Sequence, residues 1–209
     1  MSLILPKLYP ITDVHLSNLS HASQVARLIA GGARLIQLRE KHDSPREFYL
    51  EAEAALDIAH ARRARLIIND RVDIALALRA DGVHLGQDDL SPEAARSLLG
   101  DDAIIGYSTH NVAQAAHAAC LPINYLAVGP VYSTSSKENP SPVIGLEGLR
   151  RVREAVGQIP LVAIGGITLE NARETLAAGA DSVAVISALL TSTEEIEEHT
   201  RQLLDLISS

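Results

Sequence analysis

Leu8-Tyr9-Pro10-Ile11-Thr12-Asp13-Val14 is the stretch that separates two architectures. Leu8–Ile11 reads as a short apolar strand. A dinucleotide-binding α/β sheet would place a glycine-rich turn directly after it. Thr12, Asp13 and Val14 stand there instead. Outward from this start the chain repeats one pattern: an aliphatic run, a polar loop, then an amphipathic stretch of about ten to fifteen residues. The pattern predicts strands at Leu8–Ile11, Leu35–Arg39, Leu66–Asn69, Gly82–Leu85, Ile104–Tyr107, Tyr125–Val128, Leu161–Ile164 and Ser182–Ile186. It predicts helices over Ser20–Ala30, Arg46–Ala61, Ala94–Leu99, Val112–Ala119, Glu147–Val156, Leu169–Ala178 and Glu194–Ile207. Ser44-Pro45 and Ser91-Pro92 supply helix-start signals, and Gly157 and Gly179 supply stops. Eight βα units fill 209 residues with no linker and no break in composition. The count and even spacing favour one α/β domain over 1–209, a closed (βα)₈ TIM barrel, over a doubly wound open sheet.

Composition narrows the function. Lys+Arg number 18 and Asp+Glu 26, a net charge of −8, which argues against a nucleic-acid or anionic-membrane binder. Small-molecule substrates are the expected partners, and a homo-oligomer is compatible with the sequence. One cysteine, Cys120, excludes an internal disulfide and suits a reducing compartment, hence a cytoplasmic protein. Cys120 itself reads as a small buried apolar group at the end of an Ala-rich helix. No apolar run reaches the roughly 18–20 residues that cross a bilayer. MSLILPKLYP is too short, and broken too early by proline, for a signal peptide.

Barrel enzymes place their chemistry at the carboxyl ends of the strands. Four clusters lie there. Gly165-Gly166-Ile167-Thr168 reads as a helix start where backbone N–H groups approach an anion closely, and the segment ending in Ile186-Ser187 leads into another short helix. Together they are a candidate phosphate-monoester site; the plainer alternative is tight strand-to-helix packing. Arg39 and Lys41, two residues apart in an extended chain, point the same way and can hold a diphosphate. A surface ion pair with Glu40 is the alternative. Asp70 and Asp89 end consecutive strands and can share Mg²⁺, unless Asp70 caps the next helix or Asp88 is the inward residue. Thr134-Ser135-Ser136-Lys137 lies in the longest loop, Val131 to Ile144, and reads either as a lid with phosphate-binding hydroxyls or as a solvated loop. His84 alternates inward. His110 is a candidate base without triad or zinc spacing around it. The remaining histidines, His21 among them, read as surface or helix positions.

These residues resemble a known family along essentially the whole chain. Its marks are Gln37-Leu38-Arg39-Glu40-Lys41, Ile68-Asn69-Asp70-Arg71, Gly82-Val83-His84-Leu85-Gly86-Gln87-Asp88-Asp89, Gly106-Tyr107-Ser108-Thr109-His110, Gly129-Pro130-Val131-Tyr132, Ala163-Ile164-Gly165-Gly166-Ile167 and Gly179-Ala180-Asp181-Ser182-Val183. In this order they are similar to thiamine-phosphate synthase (thiamine-phosphate pyrophosphorylase). The resemblance implies a barrel that joins an aminopyrimidine, carried as its hydroxymethyl diphosphate, to a thiazole phosphate. By the same resemblance Gln37, Leu38, Arg39, Glu40, Lys41, Asn69, Ser108 and Lys137 would hold the pyrimidine diphosphate. Arg39, Lys41, Ser108 and Lys137 would be catalytic, and Asp70 and Asp89 would bind Mg²⁺. Thr134, Ser135, Ser136, Gly166, Ile186 and Ser187 would hold the thiazole phosphate. The family loop usually reads Thr-x-Thr-Lys; here Ser136 keeps the hydroxyl but lacks the methyl that stiffens threonine. The implied chemistry is departure of diphosphate assisted by positive charge, then capture of the pyrimidine cation by the thiazole nitrogen. Two other readings share the fold: a thiazole tautomerase, with little need for Arg39, Lys41, Asp70 and Asp89, and a non-catalytic binder of thiazole or thiamine phosphate.

Overall fold

Short strands buried along nearly their whole length need cover on both faces, and the covering helices come between them in the sequence. The computed structural model describes residues 3–134 and 141–208. Its strands are β1 (Leu8–Pro10), β2 (Leu35–Leu38), β3 (Arg65–Asn69), β4 (Gly82–Leu85), β5 (Ile104–Thr109), β6 (Tyr125–Val128), β7 (Leu161–Ile164) and β8 (Ser182–Val185). All eight run parallel in the order β1-β8-β7-β6-β5-β4-β3-β2. The ends of that order meet: Ile11 bridges to Gln37, and the Thr12 N–H donates to the Gln37 carbonyl at 2.9 Å. That contact closes the barrel.

The helices are α1 (Val14–Ser17), α2 (His21–Ala30), α3 (Pro45–Ala61), α4 (Val72–Leu78), α5 (Pro92–Leu99), α6 (Val112–Ala118), α7 (Gly145–Val156), α8 (Ala172–Ala177), α9 (Ser187–Leu190) and α10 (Ile196–Ser208). Side chains of Ser20, Ser44, Ser91 and Asn111 each accept a backbone N–H three residues on, at the starts of α2, α3, α5 and α6. Ser44 and Glu47 complete a reciprocal capping box. At the opposite end of the barrel a device recurs on alternate strands. Asp81, Asn124 and Asp181, one residue before β4, β6 and β8, accept the N–H of Leu66, Ile105 and Leu161, each at 2.8 Å. These side chains tie each even strand to the odd strand before it.

Two apolar clusters follow from the alternation of the strands. One lies between sheet and helices, with Leu8, Leu38, Ile68, Val83, Leu126 and Val185 among its members. The other fills the barrel interior, with Leu5, Leu35, Ile67, Ile104 and Val162 below Tyr9 and Tyr125. Room for those two rings comes from glycine: a Cβ on Gly106 would stand 2.0 Å from Cζ of Tyr125.

Three expectations need correction. Gly165-Gly166-Ile167-Thr168 does not begin a helix. Both glycines adopt positive φ, at 100° and 65°, and α8 starts only at Ala172. Cys120 is exposed, because α6 ends at Ala118 and position 120 falls in the following turn rather than on the buried stripe. His21, although the first residue of α2, is wholly buried.

Candidate active site

Alternation along the eight strands builds the mouth of the barrel. Inward residues of β2 to β5 are Gln37, Asn69, His84 and Ser108, all polar. Those of β6 to β8 are Ala127, Val162, Ile164 and Ala184, joined by Ile11 just past β1, all apolar. All nine line one cavity of about 410 Å³ at the carboxyl ends of the strands. It therefore has a polar wall and an apolar wall facing each other.

Charge gathers above the polar wall. Arg39 and Lys41, just past the end of β2, line the cavity with Asp70, Asp88 and Asp89. Arg39 Nη1 donates to Asp13 Oδ2 at 3.1 Å, and Lys41 Nζ contacts Asp70 Oδ2. Asp70 has φ of 61°, in the left-handed region, and its N–H donates to the His84 carbonyl at 2.8 Å. Aspartate tolerates that conformation better than most residues. It does not cap α4, whose N-cap is Arg71 with no side-chain bond. Asp89 Oδ2 accepts the Gly86 N–H at 2.7 Å. Burial, and then the neighbouring Asp70 carboxyl, push the Asp89 acid upward against the Gly86 bond.

The far wall ends in backbone. Gly165, Gly166, Ile186 and Ser187, with Thr134, line the cavity there. A Cβ on Gly166 would meet the Ser133 carbonyl at 2.4 Å, so only glycine lets these loops approach each other. Asn171 fixes the glycine turn, donating to the Gly166 carbonyl at 2.9 Å and accepting the Thr168 N–H at 2.8 Å.

Beneath the polar wall runs a directed chain of hydrogen bonds. The Gln37 amide donates to the Tyr9 hydroxyl at 3.1 Å, and Tyr9 and Tyr125 hydroxyls stand 2.8 Å apart. Tyr125 reaches His84 Nδ1 at 2.9 Å, and His84 Nε2 reaches Ser108 Oγ at 2.8 Å. The Gln37 donor leaves the Tyr9 hydrogen free for Tyr125, and one consistent direction then runs through the chain. Tyr125 donates to Nδ1, and Nε2–H donates to Ser108. The Ser108 hydrogen is left to point into the cavity. Burial lowers the His84 pKa to about 4, so the imidazole is neutral as this chain requires. Burial also raises both tyrosines well above their ordinary range.

Comparison with known proteins fits this geometry. A family model described as thiamine monophosphate synthase matches residues 8–189. A thiamine-phosphate synthase of Chloroflexus aurantiacus is 44% identical over 203 residues, covering 97% of this chain and 93% of that protein. One from Koribacter versatilis is 46% identical, covering 96% of each. The chain belongs to the thiamine monophosphate synthase family. The solved structure of thiamine phosphate pyrophosphorylase from Pyrococcus furiosus superposes with a TM-score of 0.87 at 39% identity, covering 97% of this chain and 96% of that one.

Within this family member, Gln37, Arg39, Lys41, Asn69, Asp70, Asp89, Ser108, Thr134, Gly166, Ile186 and Ser187 share one cavity. Two residues from the same motif do not face it. Leu38 is fully buried in the core outside the barrel, and the Glu40 carboxylate turns back into its own loop. Ser135, Ser136 and Lys137 lie outside the described residues. Gln87 and His110, polar residues at the ends of the fourth and fifth strands, also line the cavity, as does Tyr9, which the sequence did not single out. Gln87 donates to the Ser108 carbonyl at 2.5 Å, and His110 Nδ1 stands 2.8 Å from the Gly129 carbonyl. Tyr9 was within reach of the same alternation that finds Ile11.

Proposed function

We propose that this chain is a thiamine-phosphate synthase, a transferase that couples an aminopyrimidine hydroxymethyl diphosphate to a thiazole phosphate and releases diphosphate. One observation carries the reading: Arg39, Lys41, Asp70 and Asp89 come from three separate segments to one rim, opposite an apolar wall that ends in the glycine loop. A diphosphate needs the first set and a ring bearing a phosphate monoester needs the second. On this proposal Arg39 grips the diphosphate by its fork and Lys41 as a point charge. Ser108 and Asn69 orient the aminopyrimidine, with Ser108 as the donor. The apolar wall seats the thiazole ring, and Thr134, Ser135, Ser136, Gly166, Ile186 and Ser187 take its phosphate. Lys137 follows the leaving group.

Asp70 and Asp89 fit Mg²⁺. Their donors are all oxygen, and the raised acid of Asp89 is what a nearby cation would relieve. Among the described residues no group of three or more acidic, histidine or cysteine side chains forms a metal site. Mg²⁺ commonly uses one or two carboxylates, with water and substrate phosphate completing its shell. Bound there, it would supply positive charge against the departing diphosphate. The chain's own residues hold the two rings close and aligned. They supply no covalent nucleophile, and none is needed when the leaving group departs first.

The test mixes both substrates with and without Mg²⁺ and measures diphosphate and thiamine phosphate. Release of diphosphate that needs both substrates supports the reading. Thiazole isomerisation without diphosphate, or binding without turnover, overturns it. Among the described residues no helix is long and apolar enough to cross a membrane. The cytoplasm is the proposed setting, consistent with the single cysteine.

A further inference from the structure

Glu40 sits between two cavity-lining cations yet faces away from the cavity. Its Oε1 accepts the backbone N–H groups of Lys41 at 2.7 Å, His42 at 2.6 Å and Asp43 at 3.2 Å. Its Oε2 stands 3.3 Å from His21 Nε2. The other imidazole nitrogen, Nδ1, is 2.7 Å from Thr12 Oγ1, and that same oxygen accepts the Arg39 N–H at 3.3 Å. The side chains of His21 and Glu40 are 0% and 3% exposed, so the contact between them is shielded from water, while the three amides belong to exposed loop residues. Burial lowers the His21 pKa, which leaves a neutral ring with one donor and one acceptor nitrogen. Burial pushes the Glu40 acid upward, but the three amides outweigh it and hold the group ionised. Every bond then has a direction. Arg39 N–H donates to Thr12, Thr12 donates to Nδ1, Nε2–H donates to Glu40, and Glu40 accepts the next three amides.

The order hydroxyl, imidazole, carboxylate is that of a nucleophilic triad. Here it cannot act as one. Thr12 and His21 are fully buried and neither lines the cavity, so no substrate reaches the hydroxyl. What the three residues touch is the backbone on both sides of the two cations. Thr12 holds the amide of Arg39, and Glu40 holds the amide of Lys41.

We infer that Thr12, His21 and Glu40 form a clasp that positions Arg39 and Lys41 for the diphosphate of the substrate. The inference rests on the synthase reading and gives it three positioning residues. Without the clasp the loop after β2 leaves its cations on a free backbone, and the diphosphate must order it on binding.

The experiment compares wild type with Glu40→Ala, Glu40→Gln and Thr12→Val. It measures kcat, KM for each substrate, melting temperature, and titration of inorganic diphosphate with Mg²⁺ by calorimetry. Glu40→Ala should weaken inorganic diphosphate and raise KM for the pyrimidine diphosphate by about tenfold or more. KM for the thiazole phosphate should stay within about twofold, since among the described residues its loops make no hydrogen bond to the clasp. Glu40→Gln should recover most of the loss. Its amide oxygen still accepts the three N–H groups, and His21 can present its other tautomer. Thr12→Val should shift the same two constants by a smaller factor, and it carries the test if Glu40→Ala does not fold. Equal diphosphate affinity in all variants, or losses equal for both substrates that track the melting temperature, overturn the clasp while leaving the synthase reading intact. A wild type that binds no diphosphate and makes no product overturns both.

Discussion

His84 Nε2 and Ser108 Oγ stand 2.8 Å apart on neighbouring strands, and the chain running through this bond needs a neutral imidazole, because Nδ1 must accept from Tyr125. The folded pKa of about 4 lies below the ordinary 6.5 because the ring is buried. Between those values the unfolded chain binds the proton and the folded one does not. Stability therefore rises with pH across that window and is lost as pH falls from about 6.5 towards 4. The gap is worth on the order of 3 kcal/mol. Melting temperature measured from pH 4.5 to 7.5 should fall steeply on the acid side for wild type. His84→Gln should flatten part of that slope, leaving the share due to buried His21, whose pKa is also lowered. An unchanged slope in His84→Gln would contradict the neutral-ring account.

Gly106 leaves room for the same network. Its added Cβ would meet Tyr125 Cζ at 2.0 Å and the hydroxyl at 2.3 Å, and the ring is boxed in with no exposure. Gly106→Ala is expected to cost about 1–3 kcal/mol by overpacking. It should also lower kcat, because displacing Tyr125 loosens His84 and, through it, Ser108. Denaturant midpoints and single-turnover rates check the two effects separately.

The repeating pattern made the barrel legible, and β4, β6 and β7 match their predicted bounds to the residue. Each is a run of apolar or inward-facing residues that glycine ends, at Gly86, Gly129 and Gly165. The start of α8 was not legible, because Gly165-Gly166 carries a helix-start composition but adopts positive φ. Local sequence shows residue type there, not the turn that Pro130 and Ser133 impose on it. The cavity residues at strand ends followed from alternation. The same alternation, applied to Glu40, separates it from Arg39 and Lys41 and sends it to the other side. What it could not disclose is the partner waiting there, since His21 lies on a helix whose approach is set by tertiary packing. The contact of Tyr9 with Tyr125 spans 116 positions and has no local signature at all.

If Asp70 and Asp89 hold Mg²⁺, a chelator should stop diphosphate release, and added Mg²⁺ should restore it. Asp70→Asn keeps the size and the tolerance of a left-handed backbone but removes one charge. The variant should fold with a melting temperature near wild type. Its Mg²⁺ requirement should rise by about tenfold or more, because Mg²⁺ relies on very few protein carboxylates. A Mg²⁺ titration of the rate decides this, and identical curves for Asp70→Asn and wild type would remove Asp70 from the metal site.

Lys41 tests whether the charge at the rim serves stability or chemistry. Its side chain is 45% exposed and that of Asp70 is 20% exposed, so their ion pair is well screened. Such pairs add at most about 1 kcal/mol, and melting temperature in Lys41→Met should move by no more than about 3 °C. The rate should behave differently. A cation aimed at a developing negative charge is commonly worth about a hundredfold or more, so kcat/KM for the pyrimidine diphosphate should fall on that scale. The loss should appear mainly in kcat if Lys41 meets charge that develops as the bond to diphosphate breaks, and mainly in KM if it only binds the ground state. Steady-state kinetics with the thiazole phosphate saturating separates the two, and a variant with both constants intact would show Lys41 to be no more than a surface partner of Asp70.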